Sequence, residues 1–321
     1  ACGASKPAVI GYLPEWRFGW EDERWAGACE HVSHLILFSL EVGADATLTK
    51  LDRFPSPAQM KVATAAASAT GTELLVSLGG YGRSGGFSVV VASPALRLRF
   101  VENLIAFLDH WGLSGVDFNW EYPQTEQDWR GLFDLLTETK EAFNARGRRT
   151  LTMAYYPDSR QERILASDRR VVEHVDYFLI MSYDQPGQHA TMAFAKQAIQ
   201  NGVRWLPPSK LALGLAFYGR RVTDGDWKPY EEIVKKYPGG TLPPNVDTVD
   251  MGAGQVYFNG IDTTRNKVQL AVEKGLGALM IWEIGQDVAP ERSDSLLGAV
   301  SATLRELDTT SATKQQNKQE L

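Results

Sequence analysis

The chain has 321 residues, of which 44% are hydrophobic and 22% charged, and its formal net charge is −6 at pH 7. This length suits one large domain or two ordinary domains, and it can bury a sizeable core. The charge is spread along the chain without a basic face, and no apolar run approaches the roughly 20 residues of a membrane span. The sequence therefore predicts neither nucleic-acid binding nor a transmembrane segment.

Eight short apolar or β-branched runs recur along the chain. Near-continuous apolar runs are typical of strands that are buried on both faces of a parallel sheet. In chain order the predicted strands are Ala8–Tyr12, His34–Leu40, Glu73–Leu78, Gly115–Trp120, Leu151–Tyr156, Tyr177–Tyr183, Leu211–Phe217 and Ala278–Trp282.

Amphipathic segments between several of these runs predict helices. The clearest are Pro57–Thr70, Ala95–Trp111, Gln127–Ala145 and Thr264–Lys274. Gly71 is a suitable C-terminal stop for the first, and Ser93-Pro94 provides the N-cap and first residue of the second. Eight strands alternating with helices predict an α/β fold, a closed (β/α)8 TIM barrel, with an open doubly wound sheet as the alternative.

Two segments do not fit the simple alternation. Residues 223–262, between strands seven and eight, are too long for an ordinary loop and predict a short insertion at the barrel mouth. Residues 308–321 are polar and poor in apolar residues, and they predict a disordered tail. We therefore expect one barrel domain over residues 1–307.

The cysteines and histidines give little chemistry. Cys2 and Cys29 precede strands one and two, so both are expected at the amino-terminal face of the barrel. That placement leaves a disulfide and two free thiols as open alternatives. The five histidines lack metal-ligand spacing, so no metal site is predicted.

The most informative run is Ser114–Pro123, SGVDFNWEYP. Alternate residues of a strand share a face, so Asp117, Asn119 and Glu121 point one way and Phe118 and Trp120 the other. Three polar groups are costly to bury in the helix layer, whereas in the lumen they can hydrogen-bond to one another. Glu121 then lies at the carboxyl-terminal mouth, where barrel enzymes carry their chemistry. A network that only stabilises the lumen is the alternative.

This run resembles the signature of family 18 glycoside hydrolases, Asp-x-x-Asp-x-Asp-x-Glu. Further segments similar to that family occur in the right order between residues 8 and 300. They are Gly11-Tyr12, Ser77-Leu78-Gly79-Gly80, Met181-Ser182-Tyr183-Asp184, Phe217-Tyr218-Gly219-Arg220 and Trp282-Glu283. The resemblance implies a cofactor-free chitinase-type hydrolase that binds chitin or N-acetylglucosamine oligosaccharides. We expect a secreted or otherwise extracytoplasmic protein and a monomer.

The resemblance also implies roles for individual residues. Glu121 is the general acid and base of a substrate-assisted, retaining mechanism. Asn119, Asp117 and Tyr183 complete the catalytic group, with Tyr183 bonding the acetamido group and Trp282 forming the floor beneath the sugar. The implied substrate-binding residues are Tyr12, Tyr81, Trp120, Met181, Asp184, Tyr218, Arg220 and Trp282. For Tyr12, Tyr81 and Trp120, packing in the core is an equal alternative.

Two positions depart from the family signature. Ser114 replaces its first Asp, which is remote from the chemistry. Asn119 replaces the Asp two residues before the acid, and that Asp would supply a negative charge to the reaction intermediate. The sequence therefore predicts a hydrolase whose activity Asn119 can weaken. A chitinase-like lectin without significant turnover is the alternative.

The segment Gly80–Gly85 matches G-x-G-x-x-G, the pattern of dinucleotide-binding loops. It follows the third predicted strand, and Phe87–Val91 is β-branched, so the next predicted helix begins only at Pro94. Because no helix N-terminus is expected beside these glycines, nucleotide binding is not predicted.

Overall fold

A computed structural model describes residues 6–147 and 149–319 of the chain. Cys2 lies outside the described residues, and Cys29 is buried. No helix within the described ranges is long and apolar enough to cross a membrane.

Eight parallel strands form a closed barrel. Each pairs with its neighbours in chain order, and the first strand pairs with both the second and the eighth. The barrel strands are Ala8–Pro14, His34–Val42, Glu73–Gly79, Gly115–Asn119, Thr150–Tyr155, Tyr177–Ile180, Leu211–Ala216 and Ala278–Trp282. The predicted (β/α)8 barrel is confirmed, and closure of the sheet excludes the open alternative.

Helices surround the barrel. They comprise Asp22–Cys29, Pro57–Thr70, Phe87–Val91, Pro94–Trp111, Glu126–Ala145, Arg160–Leu165, Arg169–His174, Met192–Trp205, Tyr230–Lys236, Ile261–Glu273 and Leu296–Gln319. Two predicted helix caps are present. Ser93 accepts a hydrogen bond from the Leu96 amide at the start of Pro94–Trp111, and Gly71 ends Pro57–Thr70 with φ 77°. Phe87–Val91 is a one-turn helix, which its β-branched composition did not predict.

Apolar side chains fill both sides of the barrel wall. Ile10, Ile36, Leu75 and Leu179 pack inside the lumen with small residues from other strands. The opposite faces of the same strands pack against the helices, in one larger cluster. This double burial explains why the strand sequences are almost continuously apolar.

The long segment after strand seven forms a small antiparallel sheet. Its strands, in spatial order, are Trp227–Pro229, Tyr218–Arg221, Gln255–Tyr257 and Thr248–Asp250. In the chain, helix Tyr230–Lys236 lies between strands Trp227–Pro229 and Thr248–Asp250. Because strand Tyr218–Arg221 follows directly after barrel strand seven, the insertion adjoins the carboxyl-terminal mouth.

The carboxyl-terminal helix includes part of the segment that we predicted to be a disordered tail. Helix Leu296–Gln319 continues through most of residues 308–321. Its first turns are anchored by Leu296, Leu297, Val300 and Leu304, which are buried. Beyond them the sequence has no Gly or Pro and contains Ala, Lys and Gln, which favour continuation of a helix that is already nucleated.

Candidate active site

Strand four carries the predicted alternation of faces. Asp117 and Asn119 are buried on the lumen side, and Glu121 follows two residues after the strand ends. Phe118 and Trp120 point outward, where both rings contact Phe87. The polar residues of the SGVDFNWEYP run therefore converge on the carboxyl-terminal mouth.

Asp117 lies at the bottom of this polar group, deepest in the lumen. Its carboxylate is fully buried and accepts hydrogen bonds from Tyr12 Oη (2.8 Å), Ser77 Oγ (2.9 Å) and Thr152 Oγ1 (2.8 Å). Burial raises the pKa of Asp117, and the three hydroxyl donors oppose that rise. Strands one, three, four and five are thus joined beneath the site by one carboxylate.

Asn119 lies one strand step above Asp117 and is 4% exposed. Its Oδ1 atom has no hydrogen-bond partner among the described residues. A buried amide oxygen left without a donor costs free energy, so this atom is poised to accept a hydrogen bond from a bound molecule.

Glu121 has the carboxyl group with the properties of a general acid. Burial raises the pKa of Glu121 to about 7, a hydrogen bond from the Asn119 side chain lowers it, and the charge of Asp184 raises it. The backbone amide of Glu121 donates to Ser84 Oγ at 3.1 Å, which ties the residue to the glycine-rich loop. A carboxyl group with a pKa near 7 can both give and take a proton near neutral pH.

Asp184 has the opposite electrostatic character. Burial alone would raise its pKa, but His189, Arg220 and Tyr218 outweigh burial and lower the pKa to about 2. Tyr218 Oη and Arg220 Nε each donate to Asp184 Oδ1 at 2.6 Å, whereas His189 Nδ1 lies 3.6 Å away, just beyond hydrogen-bond distance. Asp184 is therefore a fixed negative charge in the same cavity as Glu121.

A cavity of about 670 Å³ opens at this mouth. It brings together nine of the predicted site residues: Tyr12, Tyr81, Asn119, Glu121, Met181, Tyr183, Asp184, Arg220 and Trp282. Asp117 lies beneath the cavity, bonded to Tyr12. Tyr81 is 89% exposed at the rim, so the core alternative for that residue is wrong.

Two predicted substrate-binding residues lie elsewhere. Trp120 packs against Phe87 at a ring distance of 5.1 Å, on the helix side of strand four and away from the cavity. The alternation of the strand decides this placement, because Trp120 lies between two inward residues. Tyr218 lies behind Asp184 and orients that carboxylate instead of lining the cavity.

The cavity also contains residues that we did not predict: Trp16, Phe38, Arg83, Tyr122, Ala154 and Tyr156. Phe38, Ala154 and Tyr156 lie at the ends of predicted strands, so their position at the mouth was a usable signal. Trp16 and Arg83 lie in loops. Only the folded structure shows that these loops turn toward the cavity.

The glycine-rich loop supports strand four. At Gly79, with φ 99°, an added Cβ would lie 2.5 Å from the Asn119 carbonyl oxygen, so only glycine permits this approach of the two backbones. Contrary to our expectation, helix Phe87–Val91 does follow the loop. Arg83 of the loop pairs with Glu15 at 2.8 Å and Ser84 bonds Glu121, so both side chains are engaged within the site.

A larger cavity of about 890 Å³ lies at the opposite, amino-terminal face, lined among others by Ser33, Thr70 and Tyr177. It is remote from the Glu121 group, so size alone does not identify the reactive site. Among the described residues, no group of three or more His, Cys, Asp or Glu side chains could hold a metal ion.

Comparisons with known proteins agree with the fold and identify the family. The sequence profile of "Glycosyl hydrolases family 18" matches residues 8–287. The chain is 24% identical to chitinase 1 of Aphanocladium album, over 74% of this chain and 67% of that protein. It is 25% identical to endochitinase 1 of Metarhizium robertsii, over 74% of this chain and 66% of that protein. The aligned region thus spans about two thirds of these curated relatives.

Solved structures show the same barrel. One is the Ostrinia furnacalis Group IV chitinase in complex with allosamidin, with a TM-score of 0.79. It is 20% identical, and the match covers 94% of this chain and 99% of that one. At this level of identity the likeness establishes the fold.

Proposed function

Since the chain belongs to glycosyl hydrolases family 18, we propose that it is a chitinase-type retaining hydrolase of β-1,4-linked N-acetylglucosamine polymers. The observation that carries this proposal is the pairing of Glu121, whose pKa burial raises to about 7, with the unpartnered Oδ1 of Asn119 in one cavity. The first group can transfer a proton, and the second can accept the N–H of an acetamido group.

The proposed reaction is substrate-assisted. Glu121 gives its proton to the glycosidic oxygen while the acetamido carbonyl oxygen of the same sugar attacks the anomeric carbon. The leaving sugar departs and an oxazolinium ion forms. The Glu121 carboxylate then takes a proton from water as the water oxygen attacks the anomeric carbon and the oxazolinium ring opens. Two displacements at one carbon retain its configuration.

The other cavity residues have roles that follow from their positions. Tyr183 lies in the cavity wall with its hydroxyl 3.5 Å from Met280 Sδ, a weak acceptor that a bound acetamido oxygen would replace as hydrogen-bond partner. Trp282 and the exposed Tyr81 offer flat faces for pyranose rings. Asp184, held ionised, accepts from sugar hydroxyls and its charge favours the protonated form of Glu121.

One observation favours a second candidate, a chitin-binding lectin with negligible turnover. Asn119 is neutral, so position 119 supplies no negative charge to the oxazolinium ion, unlike the Asp of the family signature. Losing one preorganised electrostatic group typically costs on the order of 100- to 1000-fold in rate. Glu121 is retained, which favours the hydrolase. We also propose that the protein is secreted, where it would meet this polymer, and that it is monomeric.

Hydrolysis of a fluorogenic chito-oligosaccharide separates the two candidates. The unchanged protein should release the fluorophore, and Glu121→Gln should not, because the amide cannot deliver a proton. Binding of unlabelled oligosaccharide, measured by calorimetry, should stay within about tenfold in Glu121→Gln. If neither protein releases the fluorophore and both bind the oligosaccharide tightly, the lectin is the correct candidate. If both release it at the same rate, Glu121 is not the acid.

A further inference from the structure

A buried ion pair lies directly beside the cavity. The Glu283 side chain is 0% exposed, and its Oε1 atom accepts from Arg17 Nε at 3.1 Å. Its Oε2 atom accepts from the Gly285 amide at 2.7 Å. A carboxylate removed from water is costly unless it is paired and hydrogen-bonded, and here both oxygens are satisfied.

Arg17 connects three segments of the mouth. It belongs to the turn Glu15–Arg17 after barrel strand one, and Glu283 follows strand eight. Its Nη1 atom also pairs with Glu231 Oε1 at 3.1 Å, on the helix of the insertion after strand seven. One guanidinium therefore holds two carboxylates from two other segments of the chain.

This connection is closely packed. A Cβ atom added at Gly285 would lie 2.9 Å from Arg17 Cγ and Cδ and 2.8 Å from Glu283 Oε2. The aliphatic part of Arg17 thus rests on the Gly285 backbone, which leaves little room for the pair to shift. The geometry defines one position for Glu283 and for the peptide that precedes it.

That peptide belongs to Trp282. The Trp282 indole lines the cavity, and its ring contacts Phe38 at 4.7 Å and Tyr12 at 5.3 Å. These apolar contacts position the ring from strands one and two. The contacts of Glu283 position the backbone from the opposite direction, outside the cavity.

We propose that Arg17 and Glu283 are positioning residues that fix Trp282 as the platform beneath the bound sugar. The inference rests on the proposed function, since it assumes a pyranose over Trp282. Neither Arg17 nor Glu283 lines the cavity, so neither contacts the sugar itself. Their effect on binding should pass through Trp282 alone.

A double-mutant cycle tests this dependence. The variants are Arg17→Met, Trp282→Ala and the double variant, each in the Glu121→Gln background, with binding of the N-acetylglucosamine tetramer measured by calorimetry. Arg17→Met should weaken binding about tenfold when Trp282 is present and less than twofold when Trp282 is Ala, because two residues acting through one platform are not additive. A purely stabilising pair would lower the unfolding midpoint without this dependence.

Arg24→Met is the matched control. Arg24 Nη2 donates to the Gly285 carbonyl at 3.2 Å and its guanidinium lies over Trp20, whereas the hydrogen bond and ion pair to Glu283 Oε1 come from Arg17. This variant should bind the tetramer within twofold of its parent. If Arg17→Met fails to fold, as judged by circular dichroism, the same cycle is run with Arg17→Lys, which keeps the charge but loses the Nε donor.

Additive effects, or unchanged binding in the Arg17 variants, would overturn the inference and leave the proposed function intact. Absence of tetramer binding in the unchanged protein would overturn both. In a fully active background, the expected signature of Arg17→Met is a raised KM with a smaller change in kcat.

Discussion

At the scale of single residues, Asn119 distinguishes this site from the family signature. Its Oδ1 atom is unpartnered, so in the proposed complex it can still accept the acetamido N–H in the ground state. The transition state, however, develops positive charge, which a neutral amide counters poorly. Because binding and catalysis depend on this residue differently, substitution at Asn119 should separate them.

Asn119→Asp should raise the turnover of N-acetylglucosamine oligomers at least about 10-fold, or about 1.4 kcal/mol of barrier. The new carboxylate would offset the oxazolinium charge in a largely water-excluded lumen. Oligomer binding should change less. Steady-state kinetics on the fluorogenic substrate measure the gain, with the exposed Asn144→Asp as control. No gain in a variant that binds well would favour the lectin.

The pKa of Glu121 gives a pH profile. The acid must be protonated to act, and burial raises its pKa to about 7, so kcat/KM should fall about tenfold per pH unit above that value. Glu162 is the informative control, since burial also raises its pKa to about 7 although it lies outside the cavity. Glu162→Gln should leave the alkaline limb in place. Asn119→Asp should move the limb to higher pH, because two neighbouring carboxyls resist double ionisation.

At the scale of elements, the short helix Phe87–Val91 supports the glycine-rich loop next to Glu121. Phe87 packs against Trp120, and Val91 packs against helix Glu126–Ala145 at Gly131. A Cβ added at Gly131 would lie 2.5 Å from the Val91 carbonyl oxygen. The loop therefore depends on a close approach of two helices that only a glycine allows.

Gly131→Ala should lower the free energy of unfolding by about 1–3 kcal/mol, because overpacking at a rigid backbone contact forces the helices apart. Gly27→Ala is the matched control within helix Asp22–Cys29, where an added Cβ meets nothing within 4 Å. Gly27→Ala should be neutral or stabilise by up to about 1 kcal/mol, the difference in helix propensity. Urea denaturation compares the two variants. Equal stability of both would show that the helices separate freely.

At the scale of the whole molecule, the closed barrel joins residues far apart in the chain into one cavity. Tyr12, Glu121, Tyr183 and Trp282 come from strands one, four, six and eight or their ends. A ligand in this cavity contacts the barrel from several sides at once. Ligand binding should therefore be visible as a change in global thermal stability.

A compound that mimics the oxazoline, at about 100 times its Kd, should stabilise the fold by about 2.7 kcal/mol and raise Tm by about 4 °C. Tyr183→Phe and Trp282→Ala should reduce this shift, because both residues line the cavity. Trp205→Ala, at the end of helix Met192–Trp205, should keep it. An undiminished shift in Tyr183→Phe and Trp282→Ala would place the ligand elsewhere.

The sequence by itself determined the barrel and the position of Glu121 at its carboxyl-terminal mouth. Apolar strands and amphipathic helices are local patterns, and eight alternations leave few other folds. The alternation of Asp117, Asn119 and Glu121 likewise fixed their common face before any tertiary contact was known. The same rule pointed Trp120 outward, so the resemblance was misleading there and the local pattern was correct.

Only the tertiary structure decided what surrounds that acid. Closure of the barrel brings Phe38 and Tyr156 to the cavity, and the loops carry Trp16 and Arg83 there. The pKa values of Glu121 and Asp184 diverge because burial and hydrogen-bond donors come from several strands and loops, which no single segment encodes. The carboxyl-terminal helix also depends on tertiary packing, because Leu296, Val300 and Leu304 in its first turns are buried.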